Sequence, residues 1–484
     1  MLTLVLAAAT ATCSPTWAPN EETRAEPGAP VMLWTDPSTC ESLVVTSSHA
    51  RPEGLRSTVV RYGADGRIID RFVFPKGTSP SSAIVDAARQ RLLVATALMR
   101  PDAAEVKIEA RRMGDFSLER AFGAAGKTTL TAPRLLPNAS TTGGEAVVQV
   151  DGQGRVYVVT TVDSVEGLTA LYVHRLLSDG RVDPAWAAGE KPVATYERTN
   201  SGELVASLTP EGQLVIGAGT KLRPQLFRLT TSGLLDDAFG VGGRAAPAET
   251  AAARALAVAR DGTLHYASRL RGQQLTTVAS DGRASKPLEW QQHDDRLEWP
   301  FAVLVLPDGR RAVAATSFSV KAQRASLVVA LWSDGRLDTR FGEDGLWEQE
   351  EPGINFQSGR AVIMPDGQLL IAARRALAGK PFEGTLALFR LAIPSAQAAQ
   401  PPPTAHDAAP RPALRGVMPP TKPAPTPADV ASQPTTPPPS LPTSPGAAEP
   451  GIYVYTDAQG VETYVDSLEQ VPPKLRAKAR RVSP

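Results

Sequence analysis

Residues 302–345 read AVLVLPDGRRAVAATSFSVKAQRASLVVALWSDGRLDTRFGEDG. Two apolar runs flank Asp308-Gly309. An Asp-Gly pair between such runs is the strongest short-range hairpin signal, and as a two-residue turn it asks φ > 0 of both residues. A third apolar run, VVALW, ends at a second Asp-Gly turn. An acidic residue, Asp338, then precedes an aromatic one, Phe341.

This phrase recurs along the chain, and a recurring unit decides the fold. The hairpin returns around Asp151-Gly152, Glu211-Gly212, Asp261-Gly262 and Asp366-Gly367, with degenerate copies around Asp36 and Ala87, which makes seven. The aromatic markers that follow are Phe72, Phe122, Trp186, Phe239, Trp290 and Phe341, spaced 50, 64, 53, 51 and 51 residues apart. The last copy, LALFRLAIP, stops at Pro394 without this tail. Each unit holds three clear strands and room for a fourth after the aromatic turn, as in GKTTL after Phe122 and GRAAP after Phe239. Residues 31–394 give 364/7 = 52 residues per unit, near the ~40–50 of known propeller blades. A four-stranded unit cannot cover both its faces alone, and radial stacking does so. The expectation is an all-β protein: a β-propeller of about seven four-stranded blades. A β-solenoid is the competing architecture, and the antiparallel hairpins argue against it.

The two best copies of the tail, DGRLDTRFGEDG from Asp334 to Gly345 and SGLLDDAFGVGG from Ser232 to Gly243, resemble the delta-60 repeat. In that bacterial family "DG-x-LD-x-x-FG-x-x-G" units alternate with "PDG" hairpins. The resemblance covers residues 31–394. It implies a β-propeller and an envelope or extracellular setting, and it carries no catalytic residues.

Four regions flank or follow the repeats. Leu2 to Ala11 is an apolar run of ten, too short to span a bilayer, which needs ~20 residues, and suited to the core of an export signal over 1–12. Ala9-Thr10-Ala11 is a cleavage pattern for simple secretion. Thr10-Ala11-Thr12-Cys13 resembles a lipobox, which makes Cys13 a candidate for lipidation and membrane tethering, although Thr12 and Thr10 depart from the usual residues. Residues 13–30 read as a tether. Residues 395–450 hold 17 of the 43 prolines and no Phe, Trp or Tyr, a disordered linker leaning towards polyproline II. In 451–484 a hairpin, IYVY and VETYV around Asp457-Ala458-Gln459-Gly460, precedes a short basic helix expected from Lys474 to Val482. Its Tyr455, Asp457, Gly460, Tyr464, Asp466 and Val471-Pro472 resemble the domain-of-unknown-function 4124 family of bacterial envelope proteins. That resemblance implies an accessory module of unknown ligand.

Composition bounds the chemistry. The chain has 484 residues, 51 Lys+Arg against 50 Asp+Glu, and a net charge of +1, which speaks against a nucleic-acid partner. Two cysteines exclude a disulfide scaffold and a cysteine-based zinc cluster. Cys40 reads as a lone, partly buried small hydrophobe, or as a disulfide partner of Cys13 if Cys13 carries no lipid. His49, His174, His265, His293 and His406 share no metal-ligand spacing; His293, in the loop 291–296, is a weak candidate site.

The recurrent acids Asp70, Asp183, Asp236 and Asp338 raise calcium. No unit shows the oxygen-rich run calcium needs, and an Asp before a tight turn accepts backbone N–H groups two residues on. Gly123, Gly240 and Gly342 fit φ > 0 after the aromatic, and the aromatics fit a wedge between blades. Sugar stacking on Trp186 or Trp290 is the alternative. No catalytic, metal or cofactor motif is present. The expectation is an exported protein, whether outer-membrane lipoprotein, periplasmic or secreted. It acts as a non-enzymatic binding or scaffold propeller for an unknown envelope protein or glycan. A propeller enzyme acting on glycans and a structural surface protein are the alternatives. Two or three acids around the channel would favour the enzyme; an Arg-, Ala- and Val-lined channel would oppose it.

Overall fold

The computed structural model describes residues 25–48, 56–100, 103–133, 141–164, 167–189, 191–197, 204–220, 223–245, 253–269, 273–289, 296–319, 324–377 and 384–395, and, in a second unit, 452–456, 462–465, 476 and 480–482. The export signal, Cys13 and the Pro-rich linker beyond Ser395 lie outside the described residues.

The first unit is a propeller of seven antiparallel blades, each a four- or five-stranded sheet. Their inner strands are Ala29–Thr35, Ser82–Asp86, Ala146–Val150, Val205–Leu208, Ala253–Val258, Arg296–Val305 and Ile354–Ile363, in blades one to seven. Each inner strand touches those of its neighbours, and the seventh touches the first, so the ring is closed.

Blade seven explains the missing tail of the last repeat. Its outer strand is Ala25–Pro27, which pairs antiparallel with Gly384–Leu391. The propeller therefore starts upstream of residue 31, inside the stretch read as a tether. Repeat periodicity cannot reveal this, because the closing strand comes from the opposite end of the repeats.

The hairpins stand where the Asp-Gly signals put them, but with a different turn. Leu306 N–H donates to Arg310 O at 2.8 Å and Gly309 N–H to Leu306 O at 2.9 Å. This is a three-residue loop in which Gly309, at φ 86, takes the left-handed position and Asp308 does not. The same loop forms around Asp261-Gly262, where Arg260 holds the first corner, so the pairing that flanks the loop sets its length and the glycine closes the bulge; Pro307, with φ held near −65°, suits the first corner without being required for it. Pro210 and Pro365 occupy the same place ahead of Gly212 and Gly367, at φ 81 and 80.

The core lies between blades, not within them. Leu93, Ile108 and Phe122 of blade two pack on Val148 and Val158 of blade three. Equivalent clusters fill the other six seams. Each sheet is apolar on both faces because both are covered.

In the second unit, Ile452–Thr456 pairs with Glu462–Val465 as the expected hairpin. Arg480–Val482, expected as the end of a basic helix, is instead a third strand paired with Ile452–Val454. A lone two-stranded ribbon is marginal in water, and adding a strand at its edge satisfies more backbone groups. Arg476 has 3-10 helical geometry, and the rest of that helix lies outside the described residues.

Candidate functional site

The residues singled out by the repeats build the seams. Arg175 donates from Nε to Asp183 Oδ2 at 2.7 Å and from its terminal nitrogen to Thr231 O of the next blade at 2.6 Å. Arg228 pairs likewise with Asp236 at 2.8 Å and reaches Ser280 O. Asp338 accepts from Arg310 at 3.0 Å and from Arg340 at 2.7 Å, and these guanidiniums hold its carboxyl down at about 2. The second oxygens of Asp183 and Asp236 accept Ala185 N–H at 2.9 Å and Ala238 N–H at 3.1 Å, the two-residues-on bond expected of a turn aspartate. Asp70 accepts its neighbour Arg71 N–H at 2.7 Å. These carboxylates are committed to arginines and turns, and no group of three potential metal ligands occurs among the described residues.

The aromatics wedge as expected. Phe122, Trp186, Phe239 and Phe341 are buried in four successive or near-successive seams, and Phe72 meets Phe116 of blade two at 6.1 Å between centroids. Arg175 stacks on the Trp186 indole at 4.6 Å, and Trp186 Nε1 donates to Val173 O at 3.0 Å. That indole is enclosed and offers no sugar platform. Gly123, Gly240 and Gly342 take φ 53, 61 and 57. His174 is buried and its pKa is lowered by burial. Trp290, His49, His293 and His406 lie outside the described residues. Cys40 is 1% exposed and disulfide-bonded rather than a lone thiol.

The concave site is the axial channel, a cavity of about 1200 Å³ whose wall includes residues from every inner strand. Its charged side chains are Glu145, Arg254, Arg360 and Arg374, which sum to −1 + 3 = +2. Trp299, Phe301 and Phe318 form an aromatic flank, with the Trp299 and Phe318 rings 6.4 Å apart. Glu145 is exposed and lines the channel, with protein crowded about its carboxyl. Burial raises its pKa, and Asp163 adds to this; Leu204 N–H, donated to Oε2 at 3.0 Å, and Arg254 act the other way. Arg374 has its pKa lowered by burial. Gln149 donates to Ala206 O at 2.8 Å, and Asn355 accepts Ala325 N–H at 2.9 Å.

The sequence reading singled out none of these wall residues. Most lie in or beside inner strands, with Phe318 and Arg374 in the second strands of blades six and seven, and none belongs to a repeated turn. The one available signal is Arg254, which interrupts the otherwise apolar run from Ala251 to Val258.

No family model matches the chain, and no curated protein does either. Solved propellers are similar in fold. The Dos1 propeller aligns at 11% identity and TM-score 0.40, over 77% of this chain and 94% of that one. YCF48 bound to D1 peptide aligns at 11% and 0.41, over 79% and 98%. The NanB sialidase from Streptococcus pneumoniae aligns at 12% and 0.39, over 78% and 71%. At these values none carries an argument about what this chain does.

Proposed function

We propose that this chain is an exported, non-catalytic β-propeller that binds its ligand in the axial channel. The observation that carries the reading is the wall's charge. Among the described lining residues there are three arginines and a single carboxylate, Glu145. Glycoside hydrolysis ordinarily needs two carboxyl groups across the scissile bond. A lone acid among cations suits holding an anion instead. The structural-surface-protein alternative has no wall residue to favour it.

Export is supported by two features. The chain opens on an apolar run followed by a cleavage pattern, and Cys40 is disulfide-bonded, a state that persists in oxidising compartments. Cys13 is the chain's other cysteine. In this reading Cys13 is the partner of Cys40, and a sulfur in a disulfide cannot also carry a thioether lipid. We therefore favour cleavage after Ala11, which keeps Cys13 in the mature chain, over the lipoprotein. The resemblances to the delta-60 repeat and the domain-of-unknown-function 4124 family fit the same envelope setting. The Pro-rich linker then acts as the spacer and the C-terminal unit as an accessory module.

Intact mass spectrometry of protein from the native host tests this, with alkylation before and after reduction. The expected mature chain begins at Thr12, takes no alkyl group before reduction and two after it. A diacylglyceryl group on Cys13 would overturn the secreted form, and an intact Met1 with two free thiols would overturn export altogether.

A further inference from the structure

In a regular blade the inner strand does not aim its side chains at the axis. Ala146 and Val148 pack towards blade two, while Val147 packs towards blade four. Its unpaired edge faces the channel. A β-bulge breaks that alternation and re-aims a side chain.

Four inner strands carry such a break, and their blades are consecutive around the ring. In blade five the register shifts between Ala253 and Ala255, leaving Arg254 as the extra residue. In blade six the shift leaves Phe301, between Pro300 and Ala302. In blade seven it leaves Gln357 and Ser358 opposite Arg374. In blade one it leaves Val31. Each of these residues lines the channel. The inner strands Ser82–Asp86 and Val205–Leu208 of blades two and four run in unbroken register, as does Ala146–Val150 of blade three, where the shift falls instead in the short preceding strand Thr141–Gly143.

The arc is joined across its seams. Arg360, just past the blade-seven bulge, donates from Nε to the bulge carbonyl of Val31 at 3.1 Å and from a terminal nitrogen to Gly359 O at 2.7 Å. The Phe301 ring lies on the Gly359 backbone, where a Cβ would stand 2.5 Å from it. Two guanidiniums, Arg254 and Arg360, thus come from the blades on either side of one aromatic.

We propose that this bulged arc of blades five, six, seven and one is the binding wall, and that it takes a carboxylate-bearing sugar chain. The inference rests on the channel-binding reading above and adds its ligand class. Guanidinium forks match planar carboxylates with paired hydrogen bonds. Aromatic rings such as Phe301 and Trp299 offer apolar faces to sugar rings, and Gln357 and Ser358 offer polar atoms to hydroxyls. Burial disfavours the charge of Arg374, and a bound anion relieves that cost. The chain's net charge of +1 supplies no long-range field for a nucleic acid.

The test is isothermal titration of the full-length protein with trigalacturonate, its neutral galactose counterpart and inorganic polyphosphate. The expected result is trigalacturonate binding that weakens with salt and exceeds that of the neutral sugar at least tenfold. Arg254→Gln, Arg360→Gln and Phe301→Ala should each weaken it about tenfold or more. Arg254→Lys, which keeps the charge but not the fork, should weaken it less than Arg254→Gln. The salt series and the two competing probes are read on the unaltered protein, so they decide the matter even where a variant fails to fold. Equal binding of the neutral sugar, or tighter binding of polyphosphate, would overturn the ligand class while leaving channel binding intact. No heat from any of the three would overturn the ligand class, and unchanged melting with all of them would also remove the support for channel binding.

Discussion

The indole of Trp186 fills the space a side chain on Gly233 would need: a Cβ there would lie 2.7 Å from Cδ2. Trp186 belongs to blade three and Gly233 to a turn of blade four. Gly180 stands in the same relation to Phe122, at 2.8 Å. The two most recognisable parts of the repeat, the aromatic and the Asp-Gly or Ser-Gly glycine, are thus two halves of one contact between successive blades. Gly233→Ala should meet both the clash and a φ of 92. It should cost about 3 kcal/mol, the sum of positive-φ strain and overpacking. Gly309→Ala, at φ 86 with nothing within 4 Å of its Cβ position, should cost only about 1 kcal/mol. Urea unfolding of the pair measures the difference, and equal losses would remove the wedge from the account.

Arg228 and Asp236 are both largely buried, at 8% and 11% side-chain exposure. Gln213 adds a bond to the same carboxylate oxygen at 2.6 Å. Replacing one member strands the other's charge, so Arg228→Met or Asp236→Leu should each cost about 3–5 kcal/mol. The double variant should recover a large part of that, because no buried charge remains. A double-mutant cycle by denaturant unfolding checks this, and additive losses would mean the pair is solvated after all.

The repeat phrases made the blades legible, because turn glycines, turn aspartates and aromatics are local requirements that recur. They reported the Asp183 turn bond and the Phe122 wedge for the same reason. Three features were not legible. The turn class depends on which residues flank the loop as a pair, Leu306 with Arg310, and not on Asp308-Gly309 alone. Ring closure by Ala25–Pro27 depends on pairing across about 360 residues, as Ala25 meets Leu386. The channel wall depends on register shifts, and an extra apolar residue such as Phe301 leaves no mark on the pattern of an apolar strand.

His265 is buried beside Thr277, with 3.1 Å between Nδ1 and Oγ1. Burial chiefly, and then the Arg311 cation, lower its pKa to about 4, while Asp261 pulls slightly the other way. A depressed histidine contributes stability that is full above its ordinary value of 6.5. That stability is lost as pH falls towards about 4, because the unfolded chain takes the proton first. The gap corresponds to about 3 kcal/mol. Unfolding free energy should therefore fall between pH 6.5 and 4, and His265→Gln should flatten that part of the curve. An unchanged slope in the variant would assign the loss in this window to other groups; the Asp338 cluster, lowered from 3.8 to about 2, gives up its contribution at lower pH.

A pH response of the channel is expected from Glu145. Its pKa is raised, chiefly by burial. A raised carboxyl contributes stability that is full below its ordinary value and is lost as pH rises through the elevated one. Glu145→Gln should therefore gain stability relative to the parent as pH increases from 4 to 8. The same substitution acts on binding. Ionised Glu145 is within electrostatic reach of Arg254 and reduces the positive potential an anion meets. Trigalacturonate affinity should rise as pH falls and Glu145 takes its proton. Uronate carboxyls stay ionised throughout above about pH 5, so the slope there belongs to the protein. In Glu145→Gln that slope should vanish, with affinity at pH 8 raised about threefold to tenfold, roughly one charge-assisted interaction in a partly solvated site. Titrations at pH 5.5 and 8 on both proteins decide it: a slope that persists in the variant would move the sensor elsewhere, and a lower affinity would make Glu145 a ligand contact rather than a competitor.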